Sequence, residues 1–323
     1  IFREAGLKPI FGVEMYICDD MRERSKLQLS LGASVLPHIT VIAATQVGYR
    51  NLLRLNRLSF SDGFYYRPRV DFDELIRYQE GLLVLSGCVG GYPSRILEAH
   101  GYEAMAEFLS KLAGRIERLV VEVIPEPGLA LSHLATPALM RAAKELNIQW
   151  CLTADAHFPR PEDYEVEDLL LAVGINSRVD DPKRQLKLPE YQYCCSAVEL
   201  IERAKLCAPD VPISEWKLGI KATVDLADAI DVEIPKAERV QFIKLNGLSA
   251  DQELWKWVVA GLQRRLEAGQ LPTDQVQAYK ARAELEFQTF RRKAFADYLL
   301  AVIDVVNYMR GRDRLVMLRG SAS

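Results

Sequence analysis

The chain has 323 residues, of which 49% are hydrophobic and 26% charged, a balance that excludes an intrinsically disordered protein and leaves room for two domains. A net charge of −3 gives no overall positive field for a polyanion. Six cysteines are too few for a disulfide-held fold, so we expect a reduced, cytoplasmic protein. No apolar run approaches the roughly 18 residues of a membrane span. Because the chain starts at Ile1 in a pattern typical of a helix end, we expect a fragment.

Strands and helices are predicted to alternate through the first two-thirds of the chain. Short apolar runs rich in β-branched residues predict strands at 10–18, 38–45, 82–86, 119–124 and 149–153. Amphipathic stretches between them predict helices at 49–58, 102–116 and 136–146. This order indicates an α/β fold with a largely parallel sheet or barrel.

After about residue 209 the pattern becomes helical. The predicted helices cover 216–230, 250–267, 274–290 and 297–309. We place a domain boundary near residue 235, which gives an α/β domain at 1–235 and a mainly helical segment at 236–323. Residues 280–323 carry nine basic and five acidic side chains, which indicates either a polyanion-facing surface or a solvated helix face.

Candidate metal ligands follow several of the predicted strands. Asp155 and His157 come directly after the run 149–153, and residues two apart in an extended segment point to the same side. Chemistry in barrels and open α/β sheets is located at this carboxyl end. The alternative is a histidine hydrogen-bonded to a neighbouring aspartate at the start of a loop.

Three further strands each offer one candidate. Cys88 follows the run 82–86 beside glycines that allow a sharp turn, although a lone cysteine is more often a small buried hydrophobe. Glu14 stands inside an apolar strand, where it either faces solvent or needs a cation. His38 opens its strand and is, by itself, most often structural. Carboxylate, imidazole and thiolate ligands together suit zinc, manganese or iron in a centre that activates water for phosphoester hydrolysis.

A series of collinear motifs resembles bacterial DNA polymerase III alpha subunits. Residues 6–16 resemble the family's G-x-K-P-I-x-G-x-E-x-Y stretch, and further matches follow in order at 38–44, 48–52, 63–69, 81–88, 155–157 and 180–182. The resemblance implies a polymerase-and-histidinol-phosphatase (PHP) domain, a distorted β/α barrel with a metal cluster. It places Glu14, His38, Cys88, Asp155 and His157 at family ligand positions, with zinc or manganese as the metal. The family's earliest ligands would precede residue 1, so the barrel and its cluster are expected to be incomplete here.

The helical segment resembles the start of the family's polymerase palm. Residues 284–308 are similar to its helix pattern, and 315–323 to its V-G-P-G-R-G-S-A turn. The resemblance implies nucleotide phosphate binding by Arg319, Gly320 and Ser321, since small residues let backbone N–H groups approach phosphate oxygens. Met317 and Leu318 replace the family's Pro and Gly. The catalytic aspartates would lie beyond residue 323.

We therefore interpret the chain as a fragment of a replicative DNA polymerase. The resemblance implies that the parent binds DNA, deoxynucleoside triphosphates and Mg²⁺, with a sliding clamp and a proofreading exonuclease subunit as partners and no membrane. Its PHP domain would be a phosphoesterase-like or 3′–5′ exonuclease-like module. The alternatives are a stand-alone PHP phosphoesterase and a metal-stabilised scaffold that docks the exonuclease.

Overall fold

A computed structural model of the chain describes residues 4–24, 36–184, 187–234, 241–242 and 247–317. The chain divides into two compact units, Ile1–Ile234 and Pro235–Ser323, and each is described by itself. Within the described ranges, no helix is both long and apolar enough to cross a membrane.

A six-stranded sheet forms the centre of the first unit. Its strands are β1 (Gly12–Cys18), β2 (His38–Ala43), β3 (Arg69–Asp71), β4 (Leu82–Leu85), β5 (Leu119–Val123) and β6 (Gln149–Leu152). They lie in the order β3-β1-β2-β4-β5-β6. β2 is antiparallel to both of its neighbours, whereas the other three pairings are parallel. Five of these six strands therefore run in one direction, and β2 alone runs against them.

Seven helices of the described chain belong to this unit. They are α1 (Gln46–Ser61), α2 (Phe72–Arg77), α3 (Tyr92–Ala113), α4 (Ala130–Glu145), α5 (Tyr164–Gly174), α6 (Ala197–Cys207) and α7 (Ile213–Asp228). α1 begins at the cap Thr45, whose side chain accepts a hydrogen bond from the Gly48 N–H. α3 bends at Gly101, whose φ of +84° is outside the helical range. The α/β prediction is confirmed, with a mixed sheet.

The predicted elements differ from the observed ones mainly at their ends. Each of the five predicted strands is present and slightly shorter, while β3 was not predicted because it has three residues and two of them are charged. The helix predicted at 102–116 is the second half of α3, which begins earlier, at Tyr92. The predictions also omitted α2, α5 and α6.

The core lies on both faces of the sheet. Every residue of β4 and β5 is buried, which accords with their apolar runs, in which Glu122 of β5 is the single charged residue. On one face, α7 packs against β6 with Trp216 fully buried and in edge contact with Trp150. Gly219 of α7 leaves room for that indole, because a Cβ there would lie 2.4 Å from the Trp150 ring.

Residues from the two ends of the unit contact each other. The Lys8 ammonium donates to the carbonyl oxygens of Ala227 and Asp228, both at 2.9 Å, at the end of α7 where the helix dipole favours a cation. The Asp231 N–H donates to the Ala44 carbonyl at 2.9 Å. Ile230 is buried within the main core.

The second unit contains α8 (Ala250–Glu267), α9 (Val276–Arg292) and α10 (Ala296–Arg310). A capping box at Ser249 and Gln252 starts α8. The small buried core of this second unit consists of Leu254, Phe287, Ala296 and Leu300. Leu318, Arg319, Gly320 and Ser321 lie outside the described residues, so phosphate binding by that turn stays a prediction.

We expect Gly48→Ala to destabilise the first unit, since a Cβ at Gly48 would lie 1.9 Å from the Gly81 carbonyl oxygen. Relief of this clash would require a shift of the backbone, which costs more free energy than a change of side-chain rotamer. The expected loss in the free energy of unfolding is about 1–3 kcal/mol, measured by urea denaturation. Gly174→Ala is the matched control, because a Cβ there meets nothing within 4 Å. Equal midpoints for the two variants would contradict this account of the packing.

Candidate functional site

The register of β1 and β2 brings Glu14 and His38 together. Glu14 lies opposite Thr40, and His38 lies opposite Tyr16, so Glu14 and His38 are diagonal neighbours on one face of the sheet. Glu14 Oε1 lies 3.0 Å from His38 Nδ1. The hydrogen bond with His38 is the largest effect on the Glu14 carboxyl and lowers its pKa.

A glycine turn after β4 presents Cys88 to the other side of the same imidazole. Gly87 has a φ of +85°, and a Cβ at Gly90 would lie 3.1 Å from the His38 ring. His38 Nε2 lies 3.1 Å from Cys88 Sγ, and the Gly90 N–H donates to the same sulfur at 3.3 Å. Burial raises the pKa of the Cys88 thiol to about 12, so this sulfur keeps its proton in the absence of a cation.

Asp155 and His157 lie beyond the end of β6. Asp155 has a φ of +48°, a left-handed conformation that aspartate tolerates better than most residues. His157 Nε2 lies 3.5 Å from Asp155 Oδ1. The interaction with this carboxylate is the main reason that the pKa of His157 is raised.

All five predicted ligands gather at one end of the sheet. β2 runs against β4 and β6, so its first residue, His38, lies at the end where the chain leaves those strands. Asp155 and His157 act electrostatically on the Glu14 carboxyl, and Asp155 acts on the Cys88 thiol. As placed, however, no three His, Cys, Asp or Glu side chains in the described ranges form a group that could hold a metal ion.

The hydrogen bonds of His38 explain why the predicted ligands do not surround a metal position. Both nitrogens of His38 face neighbouring side chains, Glu14 on one side and Cys88 on the other. The three groups therefore form a line along the imidazole and do not surround a common point. Their donor types still fit zinc, and a carboxylate bonded to the far nitrogen of a histidine is the usual second partner of a metal-bound imidazole.

Two buried glutamates at this end of the sheet escaped the sequence analysis. Glu122 in β5 accepts a hydrogen bond from the Thr153 hydroxyl at 2.7 Å, and burial raises its pKa to about 7. Glu126 follows the strand, is 1% exposed, and has a pKa raised to about 8, again chiefly by burial. Glu122 stands alone among apolar residues of its strand, which is the same signal that identified Glu14.

Comparison with known proteins finds a matching domain and several similar proteins that share one name. Residues 2–125 match the PHP domain. Three similar proteins are DNA polymerase III alpha subunits: that of Borreliella burgdorferi is 32% identical over 61% of this chain and 17% of its own length. Those of Aquifex aeolicus and Treponema pallidum are 26% and 29% identical over 95% of this chain, and 27% and 25% of their own lengths. The chain thus spans about a quarter or less of these relatives.

We expect the stability of the protein to depend on pH through Glu126. Its pKa is 4.5 when exposed and about 8 in the folded protein, so the folded state binds the extra proton. The stability from this group is fully present below pH 4.5 and is lost as the pH rises through about 8, at no more than about 1.4 kcal/mol per pH unit. Glu126→Gln, which mimics the neutral carboxyl, should therefore gain stability relative to the wild type between pH 5 and 8.

Urea unfolding at several pH values measures this difference. Glu117→Gln, at an exposed position, is the control. Its free energy of unfolding should differ from that of the wild type by the same amount at each pH. A Glu126→Gln offset that stays constant across the same range would contradict a protonated Glu126.

Proposed function

We propose that the chain is the PHP-domain region of a bacterial DNA polymerase III alpha subunit, since it is similar to that region of these proteins. On this premise the complete protein is a replicative polymerase that carries out template-directed deoxynucleotidyl transfer. It would bind DNA and deoxynucleoside triphosphates and use Mg²⁺ for the transfer. Arg319, Gly320 and Ser321 would contact nucleotide phosphates, and a sliding clamp and a proofreading exonuclease subunit would be its partners.

For the PHP domain itself we propose a metal centre that hydrolyses phosphoesters, in the manner of a 3′–5′ exonuclease. The observation that carries the proposal is the convergence of Glu14, His38, Cys88, Asp155 and His157 at one end of the sheet. Zinc or manganese suits these donors. Such an ion lowers the pKa of a bound water and polarises a phosphoryl oxygen.

The electrostatics of the site favour a cation. Burial is the main reason that the pKa values of Glu122, Glu126 and Cys88 are raised, and the charge of Asp155 raises them further, so acidic groups act on one another here. A divalent cation would reverse this effect and favour the thiolate and carboxylate forms. Burial of Glu126 and Glu122 keeps part of the negative charge neutralised by protons until a cation binds.

Each side chain has a role that its contacts support. His38, Cys88, Asp155 and His157 would hold the metal. Glu14, which the resemblance placed among the ligands, contacts His38 Nδ1 and would instead accept its proton, so that Nε2, which faces Cys88, would be the ligating nitrogen. The Gly90 N–H stabilises negative charge on the Cys88 sulfur.

A metal-stabilised scaffold that docks the exonuclease is the second candidate. The hydrogen bonds through His38 favour a structural role for the cluster, because they join β1, β2 and the turn after β4. In that case the centre would contribute stability to the domain and no hydrolysis. A stand-alone PHP phosphatase accords less well with the second unit, for which a lone phosphatase has no need.

Metal analysis and hydrolysis assays on the intact protein separate these candidates. We expect the wild type to retain zinc or manganese after dialysis and to hydrolyse a phosphodiester such as bis(p-nitrophenyl) phosphate. Asp155→Ala combined with His157→Ala should lose most of the bound metal and the hydrolysis. His133→Ala is the control, since His133 is exposed and its imidazole contacts the Pro127 carbonyl, away from the site.

The pattern of losses decides between them. Unchanged hydrolysis in the double variant would overturn the catalytic role of this centre. Loss of metal and a lower melting temperature, with no hydrolysis by the wild type, would establish the scaffold instead.

A further inference from the structure

We propose that Gln192 is a positioning residue that holds Asp155 and His157 in place, and that Arg203 fixes the segment carrying Gln192. This inference rests on the proposed metal centre, because its purpose is the orientation of two of the ligands. It identifies a part of the centre that lies more than thirty residues after them in the chain.

Gln192 contacts the ligand pair through both its side chain and its backbone. Its Nε2 donates to Asp155 Oδ2 at 3.3 Å. Its carbonyl oxygen accepts from the N–H groups of His157 at 2.8 Å and Phe158 at 3.2 Å. One residue therefore bonds to the carboxylate of the first ligand and to the backbone of the second.

The two segments continue to pair beyond these bonds. The Cys194 N–H donates to the Phe158 carbonyl at 3.1 Å, and Phe158 and Tyr193 form a parallel bridge. Phe158 is buried, and its ring packs 6.3 Å from that of Tyr193. The loop after β6 is thus supported by a short extended segment that belongs to neither a helix nor a strand of the sheet.

Arg203 of α6 holds this segment from behind. Its guanidinium lies 4.3 Å from the centre of the Tyr193 ring and 5.6 Å from that of Tyr191, and it donates to the Tyr191 carbonyl oxygen. The residue is 3% exposed. Arginine suits this position because its planar group stacks on aromatic rings and donates in the same plane.

Gln192 is 6% exposed, and its Nε2 donates to Asp155, whereas its Oε1 is buried without a hydrogen-bond partner among the described residues. Asp155 has a left-handed backbone, which is less populated than the other regions even for aspartate, so the surrounding contacts help to hold it. Groups that orient metal ligands in this way commonly change metal affinity by about 10- to 100-fold when they are removed. Positioning of a ligand is therefore the function that these contacts favour.

Gln192→Leu tests the side-chain bond. Leucine is close in size and leaves the backbone carbonyl in place, so the bonds to His157 and Phe158 remain. We expect Zn²⁺ affinity of the intact protein, measured by competition with a chelating dye, to fall by about 10- to 100-fold. The melting temperature in excess chelator should match that of Gln79→Leu, the control, whose amide also joins two segments away from the site.

Arg203→Met tests the support of the segment without any metal. We expect faster hydrogen exchange of the His157 and Phe158 amides in chelator, together with weaker Zn²⁺ binding. In Gln192→Leu these amides should keep their wild-type exchange rates, because their acceptor is the backbone carbonyl.

The possible results are distinct. Wild-type Zn²⁺ affinity in Gln192→Leu would overturn the positioning role and leave the proposed centre intact. A wild type that binds no Zn²⁺ would overturn the centre itself, and the exchange rates would then still show whether Arg203 holds the loop. Unchanged exchange in Arg203→Met would overturn that part of the inference.

Discussion

The direction of one strand determines the arrangement of the candidate site. β2 runs against its neighbours, so its first residue, His38, lies at the edge where the chain leaves β4 and β6. The register with β1 then places Glu14 on the same face, two positions along. A slip of one residue would turn Glu14 to the opposite face and break its contact with the imidazole. The antiparallel register is thus as important to the site as the ligands themselves.

Sequence patterns predicted the elements that depend on local periodicity. The strands β4 and β5 were found from their continuous apolar runs, because they are buried on both faces. The helices of 15 or more residues were found, in whole or in part, because their side-chain spacing reflects the face they bury. β3 was missed because three residues carry no period, and α2 because six carry little. Glu14, His38, Cys88, Asp155 and His157 were first singled out by their positions in or after apolar runs and then matched to family ligand positions. Their convergence follows from the sheet, which motifs alone do not specify.

The residues that support the candidate site have no local sequence pattern that predicts their role. Gln192 lies in an irregular segment with no pattern to distinguish it, and its importance comes from pairing with a loop far away in the chain. Arg203 is on an ordinary amphipathic helix, where a charged residue predicts a solvated face, yet it is buried against two tyrosines. Glu126 likewise follows a strand without any local sign of burial. The environment of these three residues is determined by tertiary contacts and not by their neighbours in the sequence.

The bonds from Lys8 to the end of α7 join positions about 220 residues apart. During synthesis, the first strand would leave the ribosome long before the helix that completes its packing. Contacts of such long range slow folding, and the unpaired strand edges are exposed in the meantime. The unit should therefore reach its native state only after α7 has been synthesised, and chaperones that shield nascent β-structure should improve its yield.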